Sequence, residues 1–448
     1  LNLDTVHNVY FIGIGGIGMS NLARYFHMNG KNVAGYDKTP SDVTEMLSEL
    51  NIPVHFEDSI AKISEEFKNP ENTLVVFTPA VPKTHAELNF FKNEGFQVCK
   101  RAEVLGFITK NSFCLAVAGT HGKTTTTAIL GHLLYESGAS VTAFLGGISE
   151  NYNTNFISSG TEYSVVEADE YDRSFLQLSP DVACITSVEA DHLDIYGDEQ
   201  GIVDSFKEFT TKIKPGGKLF VKSGLALSGY TYGLEDDSDY CIKNITIQNG
   251  AYCFDLVTPI ETFSGVEFNK PGKHNLLNAL VAFAMATQIK SPKTGRLVNA
   301  LKTFKGVKRR FTYQIQKENL VYVDDYAHHP TEIAALHQAV REMYPGKKVT
   351  LVFQPHLFSR TKDFADEFAR ELSKFDEVLL LDIYPAREEP IAGITSQWLL
   401  SKIENDCKKV VFKEELISIL KEKELEVLVT AGAGDIGNEV SRIKKAFA

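Results

Sequence analysis

The chain has 448 residues, a length that suggests about three domains, and 43% of them are hydrophobic, enough for several cores. Acidic residues outnumber basic ones 58 to 46, and the net charge of −12 argues against general nucleic-acid binding. No apolar run reaches the ~18 residues of a membrane span, the N-terminal stretch lacks a signal-peptide pattern, and six dispersed cysteines without CxxC pairs predict reduced packing residues in a cytoplasmic protein rather than a metal site.

An apolar strand over Asn8–Ile12 leads directly into Gly13-Ile14-Gly15-Gly16-Ile17-Gly18. A helix over Met19–His27 follows, then a strand over Lys31–Tyr36 that ends on Asp37. This is the GxGxxG pattern in a strand–helix–strand setting, with an acid about 20 positions on. Alone it predicts a dinucleotide enzyme. What the glycines supply is narrower: they let the backbone at Gly15, Gly16 and Ile17 approach a diphosphate, whatever that diphosphate carries. Asp37 is either a ligand contact or a turn-capping carboxylate. Strands over Leu74–Phe77 and Phe96–Val98 and a helix over Ala102–Lys110 complete a first α/β domain, residues 1–110.

The second domain opens on the strand Phe113–Ala118 and the loop Gly119-Thr120-His121-Gly122-Lys123-Thr124-Thr125. Ile129, Leu130, Leu133 and Leu134 then recur at helical spacing. Strand, glycine loop and helix bring backbone N–H groups, a helix N-terminus and Lys123 to one anion, with the Thr124 hydroxyl where such loops hold Mg²⁺. The loop is shorter than GxxxxGK[ST], which wants glycine where this chain has Val117. Further strands over Val141–Leu145, Tyr163–Val166 and Val182–Thr186 follow, the last two running into Glu167-Ala168-Asp169-Glu170-Tyr171-Asp172 and Glu189-Ala190-Asp191-His192. Glu167 and His192, each just past a buried strand, are candidate metal positions, although histidine suits a softer ion than Mg²⁺. Glu170 and Asp172 read as surface acids. A helix is expected over Ser205–Ile213, short β segments over Tyr240–Phe268 as a small sheet at the edge, and a long helix after Pro271-Gly272. His274 and Asn275 in its first turn point to a ligand, or Asn275 is a plain N-cap. Gly306–Phe311, with Arg310, closes the domain at 111–311.

From Leu320 strands and helices alternate regularly, including a helix over Asp363–Lys374 and a strand over Val410–Phe412. That rhythm predicts an open doubly wound sheet for residues 312–448, with ligands at the carboxyl ends of its strands. Polar clusters stand at those ends: Asp324–Pro330 with Asp325, Tyr326, His328 and His329; His356 and Arg360; Tyr384–Glu389 with Arg387; and Gly432–Asp435.

Taken together, GIGGIGMS, GTHGKTTTT, EADEYDRSF, EADHLDIY, GKHNLLNAL, GVKRRF, DDYAHHPTE, FQPHLFSRT and AGAGDIG resemble the Mur ligase family, in the family's order and across nearly the whole chain. The resemblance implies an α/β protein of three domains: a Rossmann-like domain for UDP-N-acetylmuramate, a central ATPase, and a C-terminal Rossmann-like domain that closes over both. It implies ATP-dependent joining of L-alanine to the carboxylate of UDP-N-acetylmuramate through an acyl phosphate, in bacterial peptidoglycan precursor synthesis. Attachment of a tripeptide to the same sugar nucleotide is the near alternative, and a nicotinamide-dependent dehydrogenase the distant one.

Carried over by motif, the glycine loop and Lys123 hold the ATP phosphates, and Thr124, Glu167 and His192 hold two Mg²⁺ ions. His274 and Asn275 lie near the adenine, and Arg310 reaches the phosphates. Asp325, Tyr326 and His329 frame the nucleotide or amino acid, and His356 and Arg360 approach the muramyl carboxylate and the alanine. His328 or His329 takes the proton of the amine. Leu357 stands where the family usually has arginine, and Arg387 is the candidate replacement charge. Lys207 has nearly the spacing of the family's carbamylated lysine, which this chemistry does not require.

Overall fold

The computed structural model describes residues 3, 5–189, 196, 198–248, 250–386 and 388–448, without the side chains of Asp172 and Glu199. They fall into two compact units. The first runs through Asn244 and adds Phe254–Val266 and Asn278–Phe304; the second comprises Ile245–Cys253, Glu267–Leu277 and Lys305–Ala448. Among the described residues no helix is long and apolar enough to cross a membrane.

The first unit begins with a five-stranded sheet ordered Val54–His55, Asn32–Tyr36, Asn8–Ile12, Thr73–Phe77, Gln97–Lys100, every pair parallel. Asn8–Ile12 is central and buried throughout, which is why it reads as an unbroken apolar run. The helix Ile17–Met28 starts two residues earlier than its apolar pattern indicates, because Gly16 takes the extended N-cap position.

A larger sheet follows, ordered Tyr230–Leu234, Lys218–Lys222, Val182–Ile185, Phe113–Ala118, Tyr163–Glu167, Val141–Ser149, Thr154–Ser158. Beyond Tyr230–Leu234 the order continues through Tyr240–Gln248, Ala251–Val257 and Thr262–Phe268, so the short β segments lie at the edge as expected and make the sheet ten-stranded. Phe113–Ala118 pairs in parallel on both sides, with Val117 opposite Glu167 and Ala118 opposite Ile185. The carboxyl ends of three buried strands therefore stand side by side. Val117 lies inside the central strand, fully buried, which is why the phosphate loop is short.

The helix Lys123–Ser137 is flanked by left-handed glycines, Gly122 (φ 82°) and Gly138 (φ 81°), and is buried nearly all round. The helix expected to begin at Ser205 spans Glu199–Thr210, because the Asp198 carboxylate caps it by accepting the Gly201 N–H at 2.8 Å.

The second unit holds a six-stranded sheet ordered Thr312–Gln316, Val321–Asp325, Val427–Ala431, Val349–Phe353, Glu377–Leu380, Lys408–Val410. It is parallel except for the antiparallel edge strand Thr312–Gln316, which has no clear sequence signal. Separate hydrophobic cores, one around Phe353 and Leu372 and another around Leu379 and Leu428, show a doubly wound arrangement. The expected helix Asp363–Lys374 is two helices, Phe358–Asp363 and Ala365–Leu372, broken at Phe364 (φ −112°, ψ 25°). The strand expected at Val410–Phe412 ends at Val410, since Phe412 takes the extended N-cap position of the helix Lys413–Lys421.

Gly106, in the helix Arg101–Lys110, faces the Gln177 carbonyl so closely that a Cβ would fall 2.5 Å from its oxygen. Gly106→Ala is expected to destabilise the first unit by about 1–3 kcal/mol through overpacking, read as a lower urea midpoint.

Candidate functional site

The phosphate loop is braced from the neighbouring strand end. The Thr120 N–H donates to the Ser187 carbonyl at 3.1 Å, the His121 N–H donates to Ser187 Oγ at 2.9 Å, and the Thr186 hydroxyl donates to the Ala118 carbonyl at 3.1 Å. Gly119 (φ 132°) and Gly122 (φ 82°) have backbone angles that side chains resist, and a Cβ on Gly119 would fall 2.0 Å from Thr186 Oγ1. The loop is thus a rigid cradle of backbone, and Thr186 and Ser187 are supporting residues that sequence reasoning passed over.

From this loop Lys123 Nζ donates to the Gly119 carbonyl at 2.7 Å and to Glu170 Oε1 at 2.8 Å. The Thr124 hydroxyl donates to Glu167 Oε1 at 2.8 Å. Thr125 is buried in the next position, and His121 Nε2 lies 3.4 Å from Glu189 Oε2. Burial would lower the Lys123 pKa, but Glu170, Glu167 and Asp169 outweigh it and raise the value, so the lysine is charged.

Glu170, which the sequence presents as a surface acid, is 2% exposed and paired with Lys123, because the turn after Glu167 folds it inward and the Tyr196 hydroxyl holds its carbonyl. Burial raises its pKa, and Lys123 opposes the rise.

The Thr124–Glu167 pair can be tested for fit to Mg²⁺. Adjacent corners of an octahedron with bonds of about 2.1 Å lie about 3 Å apart, and these two oxygens are 2.8 Å apart. Both of these donors are oxygen, as a hard cation prefers. His192 and Arg387 lie outside the described residues. Lys207 is exposed and faces Asp204 at 3.4 Å.

A cleft of about 920 Å³ connects this corner to the glycine-rich loop. Gly15, Gly16, Ile17 and Asp37 line it at one end, Glu167 and Asp169 at the other. Asp37 accepts the Gly15 N–H at 2.7 Å, so its carboxylate shapes the loop. The two ends are locked together: Asn21 Nδ2 donates to the Leu145 carbonyl at 2.9 Å, and Asn155 Nδ2 donates to the Ile17 carbonyl at 2.9 Å and to Ser20 Oγ at 2.8 Å. Asp58 and His85 also line the cleft, 3.1 Å apart, backed by the buried Glu87. Tyr10 donates its hydroxyl hydrogen to Glu87 Oε2 at 2.8 Å, and the Ser59 N–H donates to Oε1 at 3.2 Å.

In the second unit, His274 is half-buried, with a pKa lowered to about 4 by desolvation and then by Arg310, so its ring is neutral. Asn275 lies inside the helix Lys273–Ala286 and donates to the Pro271 carbonyl at 2.6 Å, so it is not an N-cap. Asp325 spends its carboxylate on the N–H groups of Phe311 and Ala327, each at 2.7 Å, which fixes the turn carrying Arg310. Arg309 and Arg310 both stack on Tyr326, at 5.3 and 5.0 Å. His328 Nδ1 lies 2.9 Å from the Tyr326 carbonyl and 3.1 Å from Glu332 Oε2. His329 is buried at the start of the helix Pro330–Met343, against Phe364. His356 stacks on Tyr384 and lies 3.4 Å from an Arg360 nitrogen.

A braced phosphate loop with a lysine and facing carboxylates, joined by one cleft to a second glycine loop, defines a nucleotide-dependent enzyme of the phosphate-loop class. Three family descriptions match consecutive stretches: "Mur ligase family, catalytic domain" over residues 8–112, "Mur ligase middle domain" over 117–286 and "Mur ligase, glutamate ligase domain" over 309–434. The chain is 63% identical over 445 residues to the UDP-N-acetylmuramate–L-alanine ligase of Flavobacterium psychrophilum, covering 99% of each. The solved UDP-N-acetylmuramate–alanine ligase of Thermotoga maritima superposes with a TM-score of 0.82 at 27% identity, covering 98% of this chain and 99% of that one. The murein peptide ligase of Psychrobacter arcticus shares the fold, at a TM-score of 0.70 and 22% identity over 98% of both chains. The chain belongs to the Mur ligase family.

Burial raises the Glu87 pKa from 4.5 to about 7. Between those values the folded state binds more protons than the unfolded one, so this group makes stability fall as pH rises from about 5 to 7. Glu87→Gln should flatten that part of the urea-midpoint profile; an unchanged slope would mean that Glu87 titrates normally.

Proposed function

We infer that the protein is an ATP-dependent ligase that joins L-alanine to the carboxylate of UDP-N-acetylmuramate, releasing ADP and phosphate. The observation that carries this is the single cleft running from the diphosphate-type loop at Gly13–Gly18 to the corner of Glu167, beside Lys123 and Thr124. A nicotinamide dehydrogenase would use the first loop and leave the second without work. We assign residues 1–110 to the sugar nucleotide, 111–311 to ATP and 312–448 to the amino acid and to closing charges.

A carboxylate does not acylate an amine at neutral pH, because its oxygen is a poor leaving group. Transfer of the ATP γ-phosphoryl group to the muramyl carboxylate makes an acyl phosphate, and attack by the alanine amine then expels phosphate from a tetrahedral intermediate. The protein contributes position and charge. We assign the phosphoryl oxygens to the first-turn N–H groups of the helix Lys123–Ser137 and to the Lys123 ammonium, and Arg310 the same task. Lys123 must leave Glu170 and the loop carbonyl to do so. Thr124 and Glu167, with His192, would hold Mg²⁺, whose chemistry is to neutralise phosphate charge.

The attacking amine must first lose a proton. With Nδ1–H donating to the Tyr326 carbonyl or Glu332, His328 keeps Nε2 as a bare acceptor, the tautomer a base needs. We assign His356 and Arg360 to the carboxylates of the two substrates, and His274 with Asn275 to the adenine.

Phosphate release from ATP, measured with UDP-N-acetylmuramate, Mg²⁺ and single amino acids, should depend on L-alanine. Release only with a tripeptide would reassign the acceptor. Lys123→Ala should retain less than about 1% of the rate, in line with losing one preorganised charge contact, measured at a temperature where the variant is still folded, since buried Glu170 loses its partner and the melting temperature falls. Retention of much more would sink the role given to the lysine.

A further inference from the structure

Arg101 has no part in the assignments above, yet it lies in the cleft given to the sugar nucleotide. It is the first residue of the helix Arg101–Lys110. Its guanidinium rests against the first turn of the helix Ile17–Met28: a Cβ on Gly18 would fall 2.8 Å from Nη1 and 3.1 Å from Cδ. The last glycine of the GxGxxG run is therefore kept bare by an arginine.

The donors of that arginine are unspent. Asp169 Oδ2 is 3.7 Å from Nη2, beyond hydrogen-bond distance, and the Arg101 side chain remains 25% exposed. Among the described residues its guanidinium makes no hydrogen bond, although it has five N–H donors to give. The charge around it gives those donors a purpose. The cleft is lined by the carboxylates of Asp37, Asp58, Glu167 and Asp169, and its lysine and arginine side chains are Lys38 and Arg101. A diphosphate entering such a lining is repelled unless positive charge meets it at one place. Gly16 provides no side-chain cap for the helix Ile17–Met28, so the first-turn N–H groups and Arg101 present that charge together.

We propose that Arg101 binds the diphosphate of the sugar nucleotide, setting its planar fork of N–H donors on phosphate oxygens beside the N-terminus of Ile17–Met28. The proposal rests on the sugar-nucleotide assignment of the cleft. Asp169 keeps the guanidinium near its working position, at a distance that leaves its donors available. A lysine would supply the charge without the fork.

The test is calorimetric titration of the full chain with UDP and with uridine, for the wild type, Arg101→Gln and Arg101→Lys. Arg101→Gln should weaken UDP binding by about 10- to 100-fold, the scale of a charge-assisted hydrogen bond, while uridine binding stays within about twofold. Arg101→Lys should fall between the two, and the KM for ATP should not move. UDP binding by Arg101→Gln at wild-type strength would overturn the proposal. So would a proportional loss of uridine binding, which would indicate a deformed cleft. A wild-type chain that binds UDP no better than uridine would instead remove the sugar-nucleotide assignment itself, and this inference with it.

Discussion

Parallel pairing of Phe113–Ala118 with the strands on either side is the constraint on which the phosphate-loop corner depends. With Val117 opposite Glu167 and Ala118 opposite Ile185, the phosphate loop, the acids after Glu167 and the bracing pair Thr186–Ser187 emerge at the same level. A slip of one residue against Tyr163–Glu167 would turn Glu167 into the core and carry Thr124 away from it, and a slip against Val182–Ile185 would carry Thr186 and Ser187 away from the loop they brace. The register is held by buried apolar side chains on both faces, so the hydrophobic interior and the polar site are set by one arrangement.

Electrostatics in this corner is a matter of mutual neutralisation. Lys123 is charged because three carboxylates surround it, and Glu170 tolerates burial because Lys123 is 2.7 Å away. Breaking that pair leaves a buried carboxylate uncompensated, which is costly. A ligand that draws the lysine away must therefore offer more negative charge than Glu170 does, as a triphosphate can. The pair disfavours weak anions in the loop without any steric barrier.

Much of this was legible in the sequence. The loop and its flanking strand and helix could be read because glycine, lysine and threonine follow an apolar run at fixed spacing. The alternation in residues 321–448 revealed a doubly wound sheet because its strands are buried on both faces. Glu170 was misread because composition cannot say which of four neighbouring acids the next turn folds inward. Thr186 and Ser187 were passed over because small hydroxyl residues carry no signal until a loop is seen resting on them. Arg101, Asp58 and His85 lie far from the glycine run in sequence, and the folded sheet brings them to one cleft. The antiparallel edge strand Thr312–Gln316 and the break at Phe364 depend on neighbours that local periodicity does not register.

The amide contacts of Asn21 and Asn155 have a consequence for selectivity. They tie the start of the helix Ile17–Met28 to the strands that pass Glu167, so neither end of the cleft can shift without the other. A channel with both ends fixed acts as a ruler. A ligand anchored by its diphosphate at Gly13–Gly18 presents its acid to the phosphate loop only if the sugar between them has the right length. If the cleft takes a sugar nucleotide as proposed, shorter and longer ones are discriminated by reach, with no contact dedicated to rejecting them.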